Sequence, residues 1–370
     1  MSTQTLRSLV FTLVLLAALW GLAALAPPLE AGVGITLPIV VEGYVTLQRP
    51  NAPPPDPSWS VPLVVTFHLP GDPAAAYTWN VTTDTRGRFV ITDTVELRTY
   101  DVRVKNMHTL RNVKENVAIT AGVNTLDLGE LREGDANNDN RVNIQDFTIL
   151  RSAYFTEEGQ AGFDPRADFD EDNRVNVRDF ALLRANYFAE GDVLVPRALV
   201  PQEPVTATLW LEPPVVRGLP GEVYRVTVRL NTANQAAVGA DVVLAFDPTH
   251  VQVVDETGAP ADTVVPGDAF DVVLKNVVDN TTGRITFGAG TFGVGRRGNL
   301  ALFHFYLRAE RSVFRTPLEV KQADVVDETG RSLPLRAFPG ALQAGPYRNE
   351  RLPVIGWETP GKAPGKGGQP

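Results

Sequence analysis

Two stretches of the chain are copies of each other, each an acidic loop followed by an amphipathic helical pattern. Residues 135–155 read DANNDNRVNIQDFTILRSAYF and residues 168–188 read DFDEDNRVNVRDFALLRANYF, an offset of 33 positions with 12 of 21 residues identical. No other feature of the 370 residues constrains the fold so strictly. Each copy must form the same loop and helix, and a short amphipathic helix cannot bury its apolar side alone.

The spacing of the acidic residues is typical of a calcium-binding loop. Calcium takes about six to eight oxygen ligands, and a twelve-residue loop supplies them from positions 1, 3, 5, 7, 9 and 12. We therefore predict two calcium ions, the second bound more tightly because its loop carries more carboxylates. The predicted ligands are Asp135, Asn137, Asp139, the carbonyl of Arg141, Asn143 and Asp146 in the first copy, and Asp168, Asp170, Asp172, the carbonyl of Arg174, Asn176 and Asp179 in the second.

Two further positions of each copy fit this interpretation. Position 6 must turn sharply, and Asn140 and Asn173 stand there; Asn is the residue after glycine that best tolerates a left-handed backbone. Apolar residues recur at helical spacing after each loop, so we expect the two helices to pack against each other. These residues are Phe147, Leu150 and Tyr154, and Phe180, Leu183 and Tyr187.

Residues 134–190 closely resemble the type I dockerin domain, whose pattern is a duplicated D-x-N/D-x-D-G-x-V-N-x-x-D followed by a helix. The resemblance implies calcium-dependent binding to a cohesin-bearing protein. The best-known members carry small hydroxyl residues where this chain has Ile144 and Val177, so the motif does not identify the partner. The partner-binding positions that it implies are Ile144, Gln145, Arg151 and Ser152 in the first copy, and Val177, Arg178, Arg184 and Ala185 in the second.

The segment before the repeats, residues 35–131, alternates apolar and polar residues in short runs separated by turn signals. This pattern predicts a small antiparallel sandwich. The runs Thr83–Phe89 and Tyr100–Lys105 resemble the carboxypeptidase-regulatory or transthyretin-like sandwich family, which implies a structural or interaction module. The predicted strands are Ile39–Leu47, Leu63–Leu69, Ala76–Thr82, Arg88–Ile91 and Tyr100–Val104.

After a linker at residues 191–204, residues 205–346 again read as strands. The runs Gly239–Pro248 and Leu300–Leu307 resemble strands of cohesins, jelly-roll sandwiches that bind dockerins on one sheet face. This resemblance implies a dockerin-bearing partner; a generic immunoglobulin-like or carbohydrate-binding sandwich is the alternative. The predicted strands are Tyr224–Leu230, Gly239–Phe246, Val251–Val254, Phe270–Lys275, Arg284–Ala289 and Leu300–Leu307.

The ends of the chain bear on its location. Residues 1–31 hold a basic residue and then an apolar run, which indicates a secretory signal peptide or an uncleaved signal anchor. We expect the rest of the protein to be extracellular or on the cell surface of a bacterium, and a membrane contact only through an uncleaved anchor. Residues 347–370 are rich in Pro, Gly and Lys and are predicted to be disordered.

Composition limits the chemistry. The chain lacks cysteine and has four scattered histidines, which disfavours zinc and Cys–His nucleophile sites. A net charge of −9 without a basic patch argues against nucleic acid. The fold class is therefore mainly β, with two sandwiches flanking a small all-α calcium domain.

We predict a secreted, non-enzymatic adaptor protein. It would act in a cellulosome-like or cell-surface complex linked to polysaccharide degradation. A carbohydrate-binding surface protein and a polysaccharide hydrolase accessory subunit are the alternatives. An adaptor whose own dockerin occupies its own cohesin-like domain cannot recruit other proteins. We therefore expect the dockerin and the cohesin-like domain of one chain not to bind each other.

Overall fold

The structure, a computed structural model, describes residues 36–48, 53–194 and 206–345. The described chain is mainly β and divides into two compact units. The signal segment at residues 1–31, the tail at 347–370 and most of the linker at 191–204 lie outside the described residues. No described helix is both long enough and apolar enough to cross a membrane. Of the described residues, the first unit comprises 36–48, 53–141, 170–172 and 190–194, and the second comprises 142–169, 173–189 and 206–345.

The first unit contains a sandwich of two sheets around one core. One sheet has the strand order β4-β1-β7, with β1 and β7 parallel, and the other has the order β3-β2-β5-β6. Alternate side chains of β2 point into the core, where Leu63, Val65 and Phe67 are buried. The predicted sandwich is thereby confirmed, but it is not wholly antiparallel, because β1 and β7 pair in parallel. Its strands are β1 (Thr36–Leu47), β2 (Pro62–His68), β3 (Ala75–Thr82), β4 (Arg88–Glu96), β5 (Thr99–Lys105), β6 (Asn112–Ala118) and β7 (Gly122–Leu131).

Each acidic loop leads into a short helix, α1 (Ile144–Ala153) or α2 (Val177–Ala185). Val142 and Val175 hold the same position in the two loops, and their backbones pair crosswise with the segments that follow the helices. Val142 N–H donates to the carbonyl of Ala189 after α2, and Phe155 after α1 donates to the carbonyl of Val175. The two-residue strands β8 (Thr156–Glu157) and β9 (Arg174–Val175) continue this second pairing.

The second unit contains the larger sandwich. Its sheets have the orders β14-β18-β12-β10-β20, with β15 beside β18, and β11-β21-β19-β13-β17-β16. Its strands are β10 (Ala207–Glu212), β11 (Val215–Gly218), β12 (Val223–Asn231), β13 (Ala237–Ala245), β14 (Val251–Val254), β15 (Val265–Pro266), β16 (Val272–Asp279), β17 (Arg284–Gly290), β18 (Asn299–Ala309), β19 (Val313–Asp327), β20 (Leu335–Phe338) and β21 (Gly340–Ala344).

Strand β13 differs from an ordinary sandwich strand because its first eight residues are all buried. Strands covered on one face alternate between buried and exposed residues, whereas strands covered on both faces do not. One face of β13 contributes Ala240, Val242 and Leu244 to the core. The other face carries Gly239 and Asp241, and it is covered by Ile144 of helix α1 and by Tyr187.

Candidate functional site: acidic loops and a docking face

The second loop brings three of its predicted ligands together. Among the described residues, Asp168, Asp170 and Asp172 form the one group of His, Cys, Asp or Glu side chains able to hold a metal ion, with ligand atoms within 4.8 Å of one another. Asn140 and Asn173, at the turn position of each loop, have φ of 70° and 64°. The left-handed turn expected at position 6 is therefore formed in both loops.

Backbone amides orient the first carboxylate of each loop. Asp135 accepts hydrogen bonds from the N–H groups of Asp139 (2.9 Å) and Asn140 (2.8 Å). Asp168 accepts one from Asn173 N–H (3.0 Å). These bonds close each loop around its acidic end.

The last ligand positions also start the helices. Asn143 and Asn176 are the N-caps of α1 and α2, and the carboxylates of Asp146 and Asp179 return to the N-cap N–H groups, each at 2.8 Å. This capping box is readable in the sequence as Asn followed three residues later by Asp, a signal that we did not use. It fixes the two buried carboxylates against the loops.

The loops fit a calcium ion by their chemistry. Their donors are carboxylate, amide and carbonyl oxygens, the ligands of a hard cation. Asp135, Asp146, Asp168, Asp170 and Asp179 are all buried, and buried carboxylates require compensating positive charge. The side chains of Arg141 and Arg174 turn to Glu190 (3.3 Å) and Glu157 (3.5 Å), so these residues would offer only their carbonyls, as predicted.

The first loop has a basic partner that the sequence did not reveal. Within the first unit, the ammonium of Lys105, in β5, forms a salt bridge with Asp135 and donates to the carbonyl of Thr109 (2.6 Å). Burial lowers the pKa of Lys105 and raises the pKa of Asp135, in each case against the opposing effect of the pair. The same loop is held at Asn140, whose side chain accepts from Arg111 N–H (2.6 Å) and donates to the carbonyl of Asp192 (2.6 Å).

A second buried ion pair lies beside these residues in the first unit. His108 Nδ1 is 2.6 Å from a carboxylate oxygen of Glu133, and Nε2 is 3.5 Å from Glu171. Burial disfavours a charged imidazole, but the two carboxylates outweigh it and raise the pKa of His108 to about 9. The imidazolium thus ties Glu171, in the middle of the second acidic segment, to the sandwich of the first unit.

The first repeat meets the second sandwich through the residues that the sequence assigned to partner binding. Ile144 is fully buried, and its N–H donates to Asp241 (3.1 Å) in β13. Gln145 donates to the hydroxyl of Ser332 (2.8 Å), and Arg151 donates to the carbonyl of Gly293 (2.5 Å). Ser152 instead bonds back to the carbonyl of Thr148 in its own helix. Three of the four predicted positions of this copy therefore lie in the interface.

Aromatic side chains from both repeats complete the contact. Phe292, just after β17, lies among Phe147, Tyr154 and Phe180, with ring centroids 5.2, 4.6 and 5.9 Å away. The hydroxyl of Tyr187 donates to Asp241 (2.9 Å). Aromatic residues that were predicted to pack the two helices together therefore also contact the second sandwich.

The second copy presents its corresponding residues to solvent. Val177 is 65% exposed, and Arg178, Arg184 and Ala185 are exposed as well. The two copies are thus equivalent in sequence but not in environment. The expectation that the repeats and the second sandwich ignore each other is wrong, since they share a buried contact within the second unit.

Asp241 gives this contact a predicted pH dependence. Burial raises its pKa to about 8, assisted by the nearby charge of Asp324 and opposed by the hydrogen bonds from Tyr187 and Ile144. The Asp241 carboxyl therefore binds its proton more tightly in the docked state than when it is exposed to solvent. At a pH above the ordinary pKa of aspartate, undocking releases this proton. We expect docking to weaken at least about tenfold as the pH rises from about 4 to about 8. Hydrogen exchange of β13 and β17 measures it, and Asp241→Asn should remove the trend; an equal trend in that variant would contradict the assignment.

Parts of this chain are similar to known proteins. Residues 133–187 match the family model of the dockerin type I domain. No curated protein matches the chain. The solved structures to which part of the chain is similar include cohesin–dockerin complexes and free cohesins.

The first is a type II cohesin–X–dockerin complex of Acetivibrio cellulolyticus with a mutated C-terminal interface, at 20% identity, covering 41% of this chain and 97% of that one, with a TM-score of 0.35. The second is a type I cohesin–dockerin complex of Clostridium thermocellum, at 8% identity, covering 40% and 98%, with a TM-score of 0.33. The third is a non-cellulosomal cohesin of Archaeoglobus fulgidus, at 17% identity, covering 38% and 92%, with a TM-score of 0.31.

Proposed function

We propose that this chain is an extracytoplasmic, non-catalytic assembly protein that works by calcium-dependent pairing of a dockerin with a cohesin-like sheet. The observation that carries the proposal is the seating of the first repeat on the second sandwich. The match of residues 133–187 to the dockerin family supports it. The contact itself also supports it, because it combines the buried Ile144 side chain with a hydrogen bond from Ile144 N–H to Asp241. An adaptor role in a polysaccharide-degrading complex would follow if the partners of its dockerin and of its sheet lie on other proteins.

Calcium would control the pairing through the loops. Each loop ends in the capping box that begins a helix, and α1 carries Ile144 directly after its N-cap. Metal bound by the loop residues therefore fixes the start of the helix that meets the sheet. In the proposed assembly, Asp135 to Asp146 hold one ion and Asp168 to Asp179 hold a second, with the ligands predicted from the sequence.

We expect calorimetric titration of the full chain to give two calcium ions, and Asp168→Ala to remove one. The control is Glu158→Ala, which removes an exposed carboxylate outside the loops. Chelation should also raise hydrogen exchange in α1, β13 and β17 together, because the helix and the sheet protect each other. A calcium stoichiometry below two would refute calcium-dependent pairing. Hydrogen exchange in β13 and β17 that is unchanged by chelator would refute it as well.

Capture of partners is the complementary test. The full chain is immobilised in calcium and exposed to proteins secreted by the source organism, then eluted with chelator. A cohesin-bearing or dockerin-bearing protein in the eluate supports assembly with other chains. The carbohydrate-binding alternative predicts retention on polysaccharide that chelator does not reverse.

A further inference from the structure

Three glycines of strands β13 and β17 lie where the two repeats contact the second sandwich. A Cβ added to Gly239 would overlap the Ile144 side chain, one added to Gly290 would lie 2.5 Å from the Phe147 ring, and one added to Gly288 would lie 2.6 Å from the Tyr187 ring. None of the three has a positive φ, so backbone conformation does not require glycine there. Glycine inside a strand weakens it and often marks a close approach by another group.

The three glycines form one patch with Asp241. Gly239 lies opposite Gly290 in the β13–β17 ladder, and Asp241 lies opposite Gly288. We call these four residues the glycine floor. The only side chain on the floor is the Asp241 carboxylate, which accepts hydrogen bonds from Ile144 N–H and Tyr187 hydroxyl. Because Ile144 begins the first helix and Tyr187 follows the second, the floor fits the folded pair of repeats and not a single helix.

The length of chain between the partners identifies the occupant. The described residues stop at Leu194 and resume at Thr206, so residues 195–205 join the two parts. A segment of this length reaches at most about 43 Å when extended. Tethering partners over such a distance gives effective concentrations of the order of millimolar, above that of a second copy in solution.

We propose that the occupant of the glycine floor is the dockerin of the same chain, so that the protein closes on itself as a monomer in calcium. The proposal rests on the proposed function, because it assigns the partner of that same contact. A dockerin from another protein must then displace the tethered one before it reaches the sheet. The closed chain is the resting form of the adaptor.

The decisive experiment cuts the tether in the folded protein. A protease site is placed within residues 195–205 of the full chain, and the protein is cleaved in calcium. Before cleavage, light scattering should give a monomer across a hundredfold range of concentration. After cleavage, the two pieces should remain together at micromolar concentration in calcium and separate when chelator is added.

The outcomes separate this proposal from the proposed function. If the uncut chain forms dimers or filaments that grow with concentration while the cut pieces still bind, pairing is real but the occupant is a second copy. A second comparison adds the N-terminal cleavage piece, which carries the dockerin, to the uncut chain and to the isolated C-terminal piece, which carries the sheet. If both bind it equally tightly, the same conclusion follows. If the cut pieces separate in calcium and excess of either does not restore the complex, the proposed function itself fails.

A variant on the sheet side tests the floor without touching the calcium loops. The three heavy atoms nearest a Cβ at Gly290 all belong to the Phe147 ring, so Gly290→Ala should leave the sandwich folded. We expect the cut pieces of this variant to bind at least about tenfold more weakly. Arg284→Ala, an exposed change in the same strand, is the matched control. Equal binding by G290A and wild type would show that the glycine floor does not select the occupant.

Discussion

Replacing Ile144 with aspartate is expected to release the dockerin from the glycine floor almost completely. The Ile144 side chain is fully buried, and its own N–H lies 3.1 Å from the Asp241 carboxylate. The new carboxylate would be buried beside the Asp241 carboxyl, and no cation of the described residues is shown to pair with it. An uncompensated buried charge costs about 3–5 kcal/mol, which corresponds to a loss of binding of more than about a hundredfold.

The equivalent change in the second copy should have little effect on the closed chain. Val177 stands 33 residues after Ile144 at the same position of its repeat, yet it is 65% exposed. Val177→Asp should therefore change stability by less than about 0.5 kcal/mol. Hydrogen exchange of β13 and β17 reports the release, and calcium stoichiometry confirms that the loops of each variant are intact. If I144D leaves exchange unchanged but the double variant I144D/V177D raises it, the second copy has replaced the first on the sheet.

Replacing Lys105 with methionine is expected to make the stability of the first unit depend on calcium. In chelator, the variant leaves the buried Asp135 carboxylate without its ammonium partner, at a cost of about 3–5 kcal/mol. In calcium, the metal supplies the missing positive charge, so the variant should unfold close to wild type. Because a ligand that binds only the folded state stabilises it, the gain in Tm on adding calcium should be larger in K105M than in wild type.

The control for this prediction is Lys114→Met, an exposed lysine on the neighbouring strand β6. It should shift Tm equally, and slightly, with and without calcium. If K105M lowers Tm by the same amount in both conditions, the lysine acts through packing and not through the charge of the first loop. A larger calcium effect in K105M would show that Lys105 in β5 acts as an internal cation for the first loop.

The repeats were predictable because calcium chemistry dictates residue type at fixed spacing. The acidic positions of the two loops and the left-handed Asn140 and Asn173 follow from local rules that need no tertiary information. The orientation of the repeats on the sheet was not predictable in this way. Ile144 and Val177 obey the same pattern, and only the surrounding sheet distinguishes the buried residue from the exposed one.

Strands without an apolar alternation were missed for a related reason. In β6 only Val117 is buried among the seven residues, and β19 runs fifteen residues through Pro317 and several charged side chains. Both are held by the ladders of neighbouring strands, which the sequence does not show. The glycine floor carried a usable signal, because Gly239 lies inside a strong predicted strand. The sequence reasoning did not infer that the second face of β13 is also covered.

The chain enters and leaves the calcium repeats at one place. Gly191 N–H donates to the carbonyl of Asn140, Arg141 and Glu190 form a bridge, and Asp192 pairs with Arg103 at 2.6 Å, all within the first unit. A pull on the chain from its N-terminal side and from the linker is therefore carried from the first sandwich directly to residues 190–192. The two helices between them form a mechanically shielded side branch. Tension between the first sandwich and residue 192 would load the Arg103–Asp192 pair and residues Asn140 and Arg141 of the first loop before it reached either helix.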